Sequence, residues 1–142
     1  MSNANTENTR IGRSFQKNVQ EILQNRYGMN FEWEPSISIG TPPKNHKFDL
    51  ANEDRTIVAE CKCYTWTDTG NVPSAKLMGL DQAVFYFGFL PTETIKILCM
   101  KQSVCPGKNE TLAEYYVRIH GNLLGDVKIF EVADNGKVNE IR

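Results

Sequence analysis

Three side chains in this sequence could do chemistry together: Asp49, Glu60 and Lys62. They lie in the stretch 46–65, where two strand-like runs flank the polar turn Asn52-Glu53-Asp54-Arg55. Side chains alternate faces along a strand, so Glu60 and Lys62 point one way and Cys61 and Cys63 the other. A hairpin centred on Glu53-Asp54 sets Asp49 opposite Val58 and diagonal to Glu60, with Lys47 opposite Glu60. The same register puts Phe48, Leu50, Ile57, Ala59 and Cys61 on the other, apolar face. Diagonal neighbours lie roughly 7–8 Å apart at Cα, and an Mg²⁺ ion at about 2.0–2.1 Å from oxygen can bridge two carboxylates across that gap. The acids repel one another, and a divalent cation relieves the repulsion. Such an ion polarises a phosphoryl oxygen and acidifies water. A lysine beside it can orient or help deprotonate that water, or stabilise developing charge. The alternative at this level is an exposed hairpin face that happens to be charged.

The elements around this hairpin must hold it. Phe15, Val19, Ile22 and Leu23 share one face of an expected helix over 10–27, ended by Gly28, with Arg10, Arg13 and Lys17 on the opposite face. That basic stripe is either solvated surface or a contact for backbone phosphates. A strand is expected over 30–39, interrupted or placed at an edge by Pro35, and a turn over 40–45. A second helix over 74–90, capped by Ser74 or Asn71 and ended by Pro91, has few polar positions and is expected to be packed on both sides. A strand over 94–101, a helix over 108–120 and a last strand over 126–132 follow. Helices between later strands imply an α/β fold with a central mixed β-sheet flanked by helices on both faces. Residues 1–9 lack periodicity and read as a disordered tail, and Ser2-Asn3-Ala4 looks like a cloning remnant. Residues 10–142 read as a single domain.

Bulk properties exclude several classes. The chain has 142 residues, 40% apolar and 23% charged, which suits a globular protein without staples. Sixteen basic and 17 acidic residues leave a net charge of −1, against a protein that coats nucleic acid by bulk charge. No apolar run approaches the roughly 18 residues of a membrane span. Cys61 and Cys63 are too close for a zinc knuckle, and His46 and His120 are the only histidines, so zinc is not expected. Four scattered cysteines and a polar N-terminus fit reduced thiols and a cytoplasmic protein.

Lys47-Phe48-Asp49 and Glu60-Cys61-Lys62 resemble the signature of the PD-(D/E)XK, or restriction endonuclease-like, nuclease superfamily, with Phe48 in place of the usual proline. The expected element order over 10–101 is similar to the family core. The resemblance implies a Mg²⁺-dependent nuclease acting on DNA, with Mn²⁺ as a substitute ion. Asp49 and Glu60 become metal ligands, Lys62 assists the attacking water, and the protein forms a homodimer. Gln82 and Tyr86 are similar to the Gln-x-x-x-Tyr motif of RecB-like members, on one side of the second helix. Gln82 is thereby a fourth catalytic candidate and Tyr86 a supporting residue. Many members carry a glutamate on the first helix, where this chain has Gln16. Gln16 flanks the apolar face and can look into the site. The nearest acid, Glu21, lies beside Lys17 and reads as its surface partner. Lys47 and Lys76 are candidate phosphate contacts, and Trp66 a candidate base-stacking residue. His46 and His120 read as structural. The departure at Gln16 keeps a second reading open: a weak or inactive nuclease-fold module that binds nucleic acid or a protein partner.

Overall fold

The strand that carries Glu60 and Lys62 is also the centre of the sheet. The computed structural model describes residues 2–142. In chain order its elements are α1 (Ser2–Tyr27), β1 (Phe31–Trp33), β2 (Ser36–Ile39), β3 (Lys44–Lys47), β4 (Leu50–Asn52), β5 (Ile57–Lys62), α2 (Ser74–Phe87), β6 (Ile95–Lys101), α3 (Leu112–His120), β7 (Lys128–Val132) and β8 (Val138–Glu140). Six strands form one sheet in the order β1-β4-β5-β6-β7-β8, and β2 and β3 form a separate two-stranded ribbon. β5, β6 and β7 are parallel, while β1, β4 and β8 join antiparallel. The fold is α/β with a mixed sheet.

Strand alternation sorts the core into two layers. Ile57, Ala59, Ile97, Cys99 and Phe130 face Val19 and Leu23 of α1. Val58, Leu98, Met100 and Ile129 face Leu80 and Phe87 of α2 and Leu112 and Tyr116 of α3. The parallel strands β5, β6 and β7 are joined through α2 and then α3, and both crossovers progress the same way across the sheet. A right-handed connection therefore leaves both helices on one face, with α1 alone on the other.

Several elements differ from the sequence expectations for definite reasons. α1 takes in 2–9, the segment read as a disordered tail, where a Glu7–Arg10 ion pair spans one turn. The 30–39 run divides at Glu34-Pro35: Glu34 has φ +53°, so the chain bends there and β2 leaves the sheet with β3. The β4–β5 turn is centred one residue later than expected, pairing Ala51 with Val58. Asn52 makes the wider turn. It is buried, its amide nitrogen reaches Asp54 Oδ1 and Thr56 Oγ1, and its Oδ1 accepts from the Ile57 N–H. α2 starts after Pro73 with no side-chain cap from Ser74 or Asn71, and Gly88 ends it before Pro91. Nor is α2 packed on both sides, because Met78 and Phe85 are exposed. α3 starts later than expected, where Thr111 and Glu114 form a reciprocal capping box. β8 was not expected; Gly136, at φ +84°, makes the turn that lets it pair with β7.

Truncation inside the α2–sheet layer is expected to be costly and truncation on the exposed stripe is not. Leu98→Ala should lower stability by about 2–5 kcal/mol, and Met78→Ala should change it by no more than about 0.5 kcal/mol. Urea unfolding of the two variants beside wild type checks both.

Candidate functional site

The site begins where the β4–β5 ladder ends. The last ladder pair is Leu50 with Ala59, which brings Asp49 level with Glu60 rather than diagonal to it. From there the carboxylates take over from main-chain acceptors. The Asp49 N–H donates to Glu60 Oε1 at 2.8 Å, and the Cys61 N–H donates to Asp49 Oδ2 at 2.7 Å. Each acid therefore holds the backbone of the other strand. The main-chain oxygen of Asp49 accepts from the Gln16 side chain at 3.0 Å and from the Glu34 N–H at 2.9 Å. Phe48, next to Asp49, steps out of the expected alternation and joins the α2 layer with Ala51 and Val58. The bend that carries β3 away from the sheet makes this step.

One oxygen of each acid is thus committed to backbone. Asp49 Oδ1 and Glu60 Oε2 make no hydrogen bond among the described residues. Burial pushes the Glu60 carboxyl up to about 8, and the adjacent Asp49 charge adds to the rise, against the pull of Lys62 and the Asp49 N–H. Asp49 is also raised, by burial first and by Glu34; the Cys61 N–H, Lys62 and His46 oppose this. Two carboxyls in a half-desolvated place with one lysine are short of positive charge. Among the described residues no group of three or more His, Cys, Asp or Glu is arranged to hold an ion. The pair thus offers two carboxylates, the donor set of an ion that keeps most of its waters.

Lys62 is half-buried at the end of β5, its ammonium 5.8 Å from the centre of the Tyr64 ring. The Tyr64 hydroxyl sits so close to α2 that a Cβ on Gly79 would lie 2.5 Å from it, so glycine there permits the approach. Gln82 is exposed on the side of α2 that carries Gly79 and Tyr86, within about 60° of each at 100° per residue, and among the described residues no hydrogen bond joins it to the acids. Tyr86 stacks on His46 with ring centres 3.8 Å apart, and burial lowers the affinity of His46 for its proton. That stack ties the β2–β3 ribbon to α2.

Other candidates fall elsewhere. Lys47, expected opposite Glu60, pairs with Ser36 in the ribbon, because β3 has left the sheet. Lys76 donates to the Thr65 main-chain oxygen at 3.1 Å, close to Lys62. Trp66 is buried against Tyr115 and presents no free face for a base. Glu21 and Lys17 line one cleft without an ion pair between them among the described residues. His120 lies 2.9 Å from Asp81. The cysteines are free. Glu34 is the acid that sequence reasoning missed. Its charge acts on Asp49, and its only sequence signal is a charged residue before a proline inside an apolar run.

No family model matches the chain, and no curated protein or solved structure matches it either.

The raised Glu60 carboxyl makes stability depend on pH. Between about 4.5 and about 8 the native state keeps a proton that the unfolded chain releases. Stability should therefore fall as pH rises through this window and level off above it. Glu60→Gln can still accept the Asp49 N–H but cannot ionise. It should flatten this part of the slope and exceed wild type in stability at about pH 9, as measured by urea unfolding across the range. A variant with the wild-type slope would show that Glu60 is not the group responsible.

Proposed function

We propose that this protein is a metal-dependent nuclease that hydrolyses DNA phosphodiester bonds, with Asp49 and Glu60 holding Mg²⁺ or Mn²⁺ and Lys62 serving the attacking water. The observation that carries the reading is the interlocked acid pair. Each carboxylate is anchored by one oxygen, each has the other oxygen free, and a lysine follows on the same strand. Anchoring spares the site the cost of ordering the acids when a cation arrives. The resemblance to PD-(D/E)XK nucleases supports the same assignment, as does a mixed sheet with Glu60 on β5 and Asp49 just ahead of the neighbouring β4. The finer fold reading, restriction endonuclease-like, belongs to this proposal.

The ion, when bound, supplies the charge that polarises the phosphoryl group and eases deprotonation of water. The chain's own residues do the rest. Asp49 and Glu60 would hold the ion in place of the proton that burial favours on Glu60. Lys62 holds the water or the developing charge on the phosphoryl group. Gln16, through the Asp49 carbonyl, keeps that strand in place from the α1 side. Gln82 and Tyr86 stand at the α2 wall; Tyr86 acts through His46 on the ribbon, and Gln82 is free to meet substrate. A duplex substrate calls for two acid pairs, one per strand, hence a homodimer.

A second reading, a module that binds nucleic acid or a partner without cutting, is favoured by one feature. The α1 residue that bonds to Asp49, Gln16, is an amide that donates to a main-chain oxygen, so it adds no charge to the site.

Incubation with supercoiled plasmid and with single-stranded DNA, with Mg²⁺, Mn²⁺ or EDTA, separates the two. Cleavage should require the cation and fall by about 10²-fold or more in Lys62→Ala. Asp49→Asn should abolish both cleavage and the heat of cation binding in calorimetry. Cation affinity should strengthen as pH rises to about 8, because binding displaces the Glu60 proton. Wild-type rates in Lys62→Ala would overturn the role of Lys62, whereas no cleavage together with no cation binding at any pH would leave the non-cutting module.

A further inference from the structure

Beside the acids, at the carboxyl ends of β5 and β6, lies a cleft of about 530 Å³. Three of its walls carry lysine: Lys62 ends β5, Lys101 ends β6, and Lys76 stands in the first turn of α2, the helix that crosses between these strands. Met100 pairs with Lys62 across the parallel ladder, so Lys101 lies one residue farther and has the parity of Cys99, toward α1; at the strand ends both lysines line the one cleft. The fourth wall is α1, at Asn8 and Gly12. Among the described residues, no aspartate or glutamate lines the cleft. In a chain with 17 acidic and 16 basic residues, this is a local excess of positive charge. None of the three lysines takes part in an ion pair among the described residues. Lys76 is held by the Thr65 carbonyl. The next cleft along α1 shares Lys101, but there Arg10 and Lys17 are offset by Glu21 and Asp134. With Lys101 counted, that cleft has three cations against two acids, so the excess is larger in the first cleft, where three lysines meet no acid among the described residues.

We propose that this cleft binds the phosphodiester backbone of the nucleic-acid strand whose scissile group lies at Asp49 and Glu60, with Lys101 as a phosphate-binding residue. This rests on the nuclease reading for which strand is held. Ligands of open α/β sheets lie outside the carboxyl ends of parallel strands, where this cleft is. Lysine ammonium groups bind phosphate as mobile point charges. Lys62 is common to the cleft and to the acids, so a strand bound in the cleft continues directly to them. The half-buried Tyr64 ring lies between Lys62 and α2 and offers a base a face to stack on.

The test uses the whole protein in EDTA, where no strand is cut. Fluorescence anisotropy is read with labelled single-stranded DNA, duplex DNA and single-stranded RNA. Lys101→Ala should raise Kd about fivefold or more and reduce the salt slope by about one. Lys101→Glu should weaken binding further, while Lys137→Ala, on the exposed β7–β8 turn, should bind as wild type. Melting temperatures of all variants establish that they are folded, and Lys101→Gln, which keeps most of the side-chain length, should repeat the loss seen with alanine. The three oligonucleotides tell which nucleic acid supplies the backbone. Wild-type affinity in folded Lys101→Glu, or no binding of any oligonucleotide by wild type, would overturn the cleft. Loss of binding in the Lys101 variants without any cation-dependent cleavage would keep the cleft and remove the hydrolytic reading instead.

Discussion

At the point where β4 and β5 separate, two main-chain N–H groups, on Asp49 and Cys61, take side-chain acceptors. Each is met by a carboxylate from the opposite strand. Buried N–H groups without partners are costly, typically about 1–3 kcal/mol each, so the acids complete the fold as well as furnish a site. The arrangement holds both carboxyls half-buried and side by side, which raises both of their proton affinities. The interlock stabilises the backbone and at the same time leaves a demand for positive charge.

That geometry depends on a bend. Because β3 and β4 do not run on as one strand, the ladder stops at Leu50 and Ala59, and the Asp49 N–H beyond it meets a carboxylate. Glu34, in the left-handed region, and Pro35 turn the outer pair away, and the Glu34 N–H and Pro35 carbonyl bond across to Asp49 and Phe48. The separated ribbon then rests on α2 through the His46–Tyr86 stack. Gln16 closes the opposite side from α1. α1, the bend at Glu34 and β5 therefore converge on the backbone of one residue, Asp49.

The parallel half of the sheet has a different consequence. Strands β5 and β6 end together, and the helix between them begins beside those ends, so Lys62, Lys76 and Lys101 gather without any being near another in sequence. Acids lie on one side of Lys62 and cations on the other. Such a division suits a ligand that carries negative charge along its length and reacts at one point.

Much of this was legible in the sequence, because it followed from period and parity. Apolar residues spaced at helical intervals marked the buried side of α1 at Val19 and Leu23. Strand alternation put Glu60 and Lys62 on one face, and a register error of two residues left every face assignment on the paired strands intact, since parity repeats every second residue. The strand-helix-strand-helix-strand order implied helices on both faces of a mixed sheet. Other features were decided only by tertiary structure. The true register turned on Asn52, whose side chain bonds widen the turn. Phe48 broke the alternation because a bend at Glu34-Pro35, on a different strand, carried it across. Lys47 left the site for the same reason. Trp66 went into the core under Tyr115, and Lys101 reached Lys62 by a crossover through α2. Local pattern determines which face a side chain takes, since that depends on a few neighbouring dihedrals. Which residues from distant segments meet there depends on where the chain bends and returns, and only the folded whole decides that.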